Sequence, residues 1–335
     1  MSTRNNKKKK DKKLRSLFLL LFLTIIMLGT ASYAWFTANQ VVTIQALDLQ
    51  VEASNGLQIS TDAVSWKSVI TNNDITSGAY SGAVNQVPAS VTAVSSDGTV
   101  SNGKMNMYLG SITNDETTGD YLIASTKQTD VAGTEGYYIA FDVFLKTDTT
   151  QQVFLAGNSN VSHKSVQIAG TDDMTTDKGL KNSARVGFVI LGHGASTDSV
   201  SSLTALSNGN PTNAIIWEPN YTSHTPQALI VASEYGVSAP TNAATTYRGL
   251  NKEFTNGNLK KTVKGEGTEA GYATVMNPAI KTAEGNTNNN LLVTLEAGVT
   301  KVRIYMWVEG QDIDCENNAT GTDISFNISL TTANP

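Results

Sequence analysis

Ile324-Ser325-Phe326-Asn327-Ile328-Ser329-Leu330-Thr331 is the stretch that decides the fold. Large apolar residues alternate strictly with small polar ones. In an extended chain successive side chains point to opposite faces, so this pattern makes a strand with one dry and one wet face. Burying Ile324, Phe326, Ile328 and Leu330 contributes roughly 1.5–3 kcal/mol each. The segment therefore reads as an antiparallel core strand.

The same period of two recurs upstream. In Val302–Glu309, Val302, Ile304, Met306 and Val308 form one face, and Arg303, Tyr305, Trp307 and Glu309 the other. In Tyr137–Lys146, Tyr137, Ile139, Phe141, Val143 and Leu145 oppose Tyr138, Ala140, Asp142, Phe144 and Lys146. Shorter candidates are Lys104–Leu109, Gln152–Leu155, Ser165–Ile168, Ala184–Leu191, Ala214–Trp217 and Leu291–Leu295. Residues 41–53 read as a long strand that changes face near Ala46-Leu47, where a bulge fits. The last two strands, joined by Gly310–Thr322, are expected to form a core hairpin.

Long polar stretches separate these elements: 71–103, 112–134, 170–183, 192–213 and 236–289. Connections of this length usually bind something or carry structure of their own. The stretch 71–134 is long enough for an inserted subdomain, and Thr225–Tyr235 has a weak helical pattern. Charged residues make up only 16% of the chain, and Thr, Asn, Ser, Gly, Ala and Val dominate, a composition that suits strands and polar turns better than long helices. The expected fold is all-β, an antiparallel β-sandwich with long polar loops.

The N-terminus reads as a membrane-targeting signal helix. Residues 1–16 hold eight basic side chains against Asp11 alone, and an apolar run from Leu17 to Leu28 follows, broken only by Thr24. Small residues come next, ending in Ser32-Tyr33-Ala34. This is the order of a secretory signal peptide. Twelve apolar residues span only about 18 Å as a helix, short of the ~30 Å hydrocarbon core. The expectation is a signal peptide over residues 1–34, cut between Ala34 and Trp35, and a secreted domain over 35–335. An uncleaved signal anchor is the alternative. The implied partners are the export machinery and a signal peptidase, with membrane contact only through this segment.

Losing the signal removes eight of 24 basic and one of 29 acidic residues, leaving 16 against 28, a net of −12. So acidic a chain lacks the basic footprint of a nucleic-acid binder. Its single cysteine, Cys315, makes no internal disulfide, so a secreted form must rest on its hydrophobic core.

The usual catalytic constellations are missing. His163, His193 and His224 form no His-Glu-x-x-His pair, and there is no Gly-x-Ser-x-Gly elbow or phosphate-binding loop. Cys315 lies among Glu309, Asp312, Asp314 and Glu316, which disfavours its thiolate and points to an inert buried thiol. Those four carboxylates suit a hard cation such as Ca²⁺, although their spacing is not that of an EF-hand and acidic turn residues also serve solubility. No other cofactor is implied. Trp66, Trp217 and Trp307 fit either a glycan-stacking platform or the core of a sandwich.

The junction is more specific. Gly29-Thr30-Ala31-Ser32-Tyr33-Ala34-Trp35-Phe36-Thr37, followed by Ala46-Leu47-Asp48-Leu49, resembles the TasA/camelysin family of exported Gram-positive proteins, which have a dedicated class of signal peptidase. The likeness covers about residues 17–51, and the Gly-Thr that usually precedes Leu-Asp-Leu is absent. It implies a jelly-roll-like sandwich, secreted or held at the cell surface in a biofilm-type matrix. In fibre-forming members the freed N-terminal strand enters the sheet of the next copy. An ordinary first strand within its own sheet fits the residues equally well. No zinc ligands support a metalloprotease activity. The resulting expectation is a non-enzymatic structural or matrix-associated protein whose partners include copies of itself; the alternative is a surface adhesin that binds glycan or protein through its loops.

Overall fold

The computed structural model describes residues 41–42, 50–53, 56–78, 80–114, 121–234, 248–258, 273–275, 279–280, 290–315, 319 and 323–332. The signal, the Ala34–Trp35 junction and Glu316 lie outside the described residues. Contacts divide the chain into Met1–Ala34 and Trp35–Pro335, and every described residue belongs to the second unit.

The described chain is all-β with mostly antiparallel sheets. The five-stranded sheet contains β3 (Gln58–Ser60), β10 (Ile139–Thr147), β13 (Ala184–Gly194), β14 (Ile215–Trp217) and β19 (Gly298–Val308), in the order β14-β13-β19-β10-β3. The six-stranded sheet contains β2 (Gln50–Ala53), β4 (Val69–Ile70), β11 (Gln151–Leu155), β12 (Asn160–Lys164), β18 (Leu291–Leu295) and β20 (Asp323–Thr332). Its order is β18-β11-β20-β2-β4, with β12 pairing the first half of β20. Smaller pairings join β1 (Val41–Val42) to β5 (Val91–Thr92), and β6 (Val100–Ser101) to β7 (Lys104–Met105). β15 (Arg248–Leu250) pairs with β17 (Ala273–Val275), and β8 (Met107–Asn114), β9 (Tyr121–Gln128) and β16 (Phe254–Asn258) form a three-stranded sheet.

Alternation explains the core. Ile139, Phe141, Val143 and Leu145 of β10, with Val302, Ile304, Met306 and Val308 of β19, enter one apolar cluster. Ile324, Phe326, Ile328 and Leu330 of β20 join the same cluster from the other sheet. The opposite face of the five-stranded sheet is buried as well. There Tyr138, Ala140, Tyr305 and Trp307 pack with Met105 and Met107, from the strand candidate Lys104–Leu109, and with Val94, from the polar stretch 71–103. Main-chain bonds tie that stretch down: Gln86 and Ala140 exchange N–H···O bonds, and the N–H of Val94 donates to the carbonyl of Val308.

Two expectations are corrected. The last two strands are not a hairpin. β19 pairs with β10 and β13, whereas β20 pairs with β2, β11 and β12 in the other sheet. Alternation specifies which side of a strand is dry but not which strand lies beside it, and both strands reach the shared core from opposite sides. Ser165–Ile168 is not a strand either. The strand there is Asn160–Lys164, after which Gln167 bridges to Met174 across a turn that leaves Ile168 and Met174 exposed.

Helices are short: α1 (Asn72–Ser77), α2 (Val200–Thr204) and α3 (Pro226–Glu234). The last confirms the helical pattern read in Thr225–Tyr235. Its start follows from Pro226 at the first helical position and from Thr225, whose Oγ1 accepts the N–H of Ala228 at 3.1 Å. Among the described residues no helix is long and apolar enough to cross a membrane.

Candidate functional site on the outer face of the five-stranded sheet

The charged residues of β10 and β19 fall on the outer face because they alternate with the core residues. Asp142 is the ladder partner of Arg303, and Phe144 that of Lys301. The Asp142 carboxylate accepts from Arg303 Nε at 2.6 Å and from Nη2 at 3.1 Å. Tyr80 donates its hydroxyl to the same carboxylate. Asp130 accepts from Tyr138 and Tyr305, each at 2.8 Å, and lies 3.3 Å from Arg303 Nη1. Such a network satisfies the buried charges mutually. Burial pulls the Arg303 guanidinium down, yet the bonds it donates to Asp142, with that carboxylate's charge, hold it above its ordinary value. Burial, with the charges of Asp142 and Asp130 nearby, pushes the phenols of Tyr80, Tyr138 and Tyr305 up, so all three remain donors.

Lys301 lies at the edge of this network. Its ammonium donates to the carbonyl of Thr204 at 2.7 Å, lies 3.5 Å from Asp142, and sits 5.1 Å from the centre of the Tyr80 ring. Burial lowers its pKa, with Asp142 opposing that shift. Lys301 and Arg303 are each 6% exposed. Both line a cleft of about 600 Å³ between the Asn102-Gly103 turn and the segment Thr204–Pro211.

Both walls are held in place. Asn102 and Gly103 have φ of 55° and 71° and close the β6–β7 hairpin, the pattern of a two-residue Asn-Gly turn. On the other side, Asn208 accepts the N–H of His193 and donates to its carbonyl, both at 2.9 Å. Gly209 also donates its N–H to Leu191.

The acidic segment read as a cation site is spread over different partners. Glu309 is fully buried and accepts from Trp307 Nε1 at 3.0 Å, from the N–H of Gln311 at 3.1 Å and from the N–H of Ser96 at 3.3 Å. Burial dominates, and its pKa is raised to about 7. Asp312 pairs with Arg185, whose Nη2 also donates to Glu218 at 2.6 Å. Asp314 lies 2.6 Å from His224 Nδ1 and accepts the N–H of Thr225, which ties the segment to the start of α3. Burial raises the pKa of Asp314, with His224 opposing. Among the described residues no group of three or more His, Cys, Asp or Glu side chains is arranged to hold a metal ion.

The other candidates are placed as follows. Cys315 is buried in the main core, as its reading as an inert thiol implied. Trp217 and Trp307 are each 1% exposed and belong to the clusters on opposite faces of the five-stranded sheet, so they share no stacking platform. Trp66 is half-buried under Lys146. His163 contacts the carbonyl of Thr175, and His193 the hydroxyl of Thr300. Sequence reasoning missed the Lys301 cleft. Its only local signal is the Asn102-Gly103 pair, a hairpin marker; its other parts, Leu191, the segment Thr204–Pro211 and Lys301 with Arg303, are joined by no local pattern.

Compared with known proteins, the chain matches no family model, no curated protein and no solved structure.

Proposed function

We propose that the two sheets form a jelly-roll-like β-sandwich and that the protein is an exported, non-enzymatic component of a Gram-positive cell surface or matrix, assembling through its N-terminal strand. The observation that carries this reading is the position of β2. Gln50–Ala53 runs parallel to β20, the one parallel pair among the described strand pairings, and also pairs with β4. A strand near the N-terminus that pairs through main-chain bonds is replaceable by the same strand from another copy, because those bonds are identical. The signal-like leader supports export, and the acidic composition of residues 35–335 supports solubility outside the cell.

N-terminal sequencing of the exported protein together with negative-stain microscopy tests this reading. The expected result is a first residue of Trp35 and concentration-dependent filaments. A product that keeps residues 1–34 or stays monomeric at all concentrations overturns it. The cleft beside Lys301 favours a second reading, a surface module that binds a small ligand.

A further inference from the structure

We infer that Asn102, at the tip of the β6–β7 hairpin, is a site of spontaneous deamidation, and that the fold shields Asn208 from the same reaction. One tripeptide occurs at both places, as Ser101-Asn102-Gly103 and as Ser207-Asn208-Gly209. Immediate neighbours therefore make the two asparagines equally reactive, and their surroundings in the fold decide between them.

The reaction needs no enzyme. The amide nitrogen of Gly103 gives up its proton and attacks the side-chain carbonyl carbon of Asn102. A new N–C bond closes a five-membered succinimide, the C–N bond of the carboxamide breaks, and ammonia leaves with the proton. Water then opens one of the two imide bonds, which leaves an aspartyl or an isoaspartyl residue at position 102. A following glycine favours the attack because no Cβ hinders the approach. Asn102 is exposed, and among the described residues its side-chain amide has no hydrogen-bond partner. The hairpin pairs Ser101 with Lys104, which leaves the Gly103 N–H out of the ladder. The tip must flex for that nitrogen to reach the side chain. Beyond the ladder, the described residues oppose this with one long bond, 3.5 Å, from Arg303 Nη1 to the Gly103 carbonyl.

Asn208 is exposed as well, but it is held at three points. Its side-chain oxygen accepts the N–H of His193, and its side-chain nitrogen donates to the His193 carbonyl, both at 2.9 Å. The attacking nitrogen there belongs to Gly209, whose N–H donates to the Leu191 carbonyl at 2.8 Å. All three bonds must break before the ring closes, which at ordinary hydrogen-bond strengths slows the reaction about tenfold or more. Asn102 and Gly103 form part of the cleft wall. Conversion puts a negative charge on that wall, and the isoaspartyl form adds a main-chain carbon to a two-residue turn.

The test is peptide mass mapping of the full chain aged in mildly alkaline buffer, once folded and once unfolded in guanidinium chloride. In the folded chain Asn102 is expected to convert about tenfold faster than Asn208 or more. In guanidinium chloride the two rates should converge. Equal rates in the folded chain, or a faster Asn208, overturn the assignment. So does an Asn102 that converts only after unfolding, because the turn then protects it. A preference for Asn102 that keeps its size in guanidinium chloride comes from sequence outside the tripeptide and overturns the part given to the fold.

Discussion

Asp142 and Arg303 face each other across the β10–β19 ladder, 161 residues apart in sequence, with two hydrogen bonds of 2.6 and 3.1 Å between one carboxylate and one guanidinium. Both are almost wholly buried. Removing Asp142 alone leaves Arg303 with Asp130 and takes away the carboxylate beside Lys301, so a buried positive charge is in excess, whereas removing Asp142 and Arg303 together takes away one charge of each sign. Asp142→Asn is therefore expected to destabilise the domain by about 3–5 kcal/mol, and Asp142→Leu with Arg303→Met by less than D142N alone. Urea denaturation of the single and double variants measures this. A D142N effect below about 1 kcal/mol means that the pair is solvated in solution.

Glu309 makes stability depend on pH. Its folded pKa of about 7 lies above the unfolded value near 4.5, so the folded state holds more protons between those limits. Stability from this group is accordingly greatest below pH 4.5 and falls as pH rises towards 7, by at most about 3 kcal/mol. Asp314 and Asp323, both buried and both raised mainly by that burial, act in the same direction. Glu309→Gln should flatten the decline between pH 5 and 7.5. Thermal melts across that range check it, and an unchanged slope in E309Q rules Glu309 out as the source.

Trp307 and Trp217 serve the cores on opposite faces of one sheet. Trp307→Ala and Trp217→Ala are each expected to cost about 3–5 kcal/mol through the cavity left behind. Chemical denaturation reads the loss. A variant with wild-type stability would show that its indole is not packed as described.

Gly298 opens β19 with φ of 132°, and a Cβ there would lie 2.4 Å from the carbonyl oxygen of Gly194 and 2.9 Å from the His193 ring. Gly298→Ala meets both a backbone conformation foreign to L side chains and a clash with main chain that cannot yield easily. A loss of more than about 1 kcal/mol is expected. The same denaturation assay tests it, and a neutral outcome would mean that the β13–β19 junction relaxes freely.

Alternation was legible wherever it was strict, because the face on which a side chain emerges depends only on local geometry. Apart from Tyr137, which is exposed and lies outside β10, the core-facing residues of β10, β19 and β20 match the reading of Tyr137–Lys146, Val302–Glu309 and Ile324–Thr331. Short strands such as β5, β15 and β17 escaped because two or three residues carry no period. The buried thiol of Cys315 was legible from its acidic neighbours. The distribution of those neighbours among Arg185, His224 and Trp307 was not, since the partners come from distant segments.

The residues alone thus determined an all-β chain, the dry faces of its main strands and the short helix before Glu234. Tertiary structure decided which strands became neighbours: β19 and β20 entered different sheets, and the outer face of β19 was covered by chain from residues 94–109. It also decided that Lys301, Asn102 and Thr204 would meet around one cleft. The physical reason is range. Periodicity acts between residues two positions apart, whereas pairing and cleft formation depend on a free-energy balance over the whole folded chain.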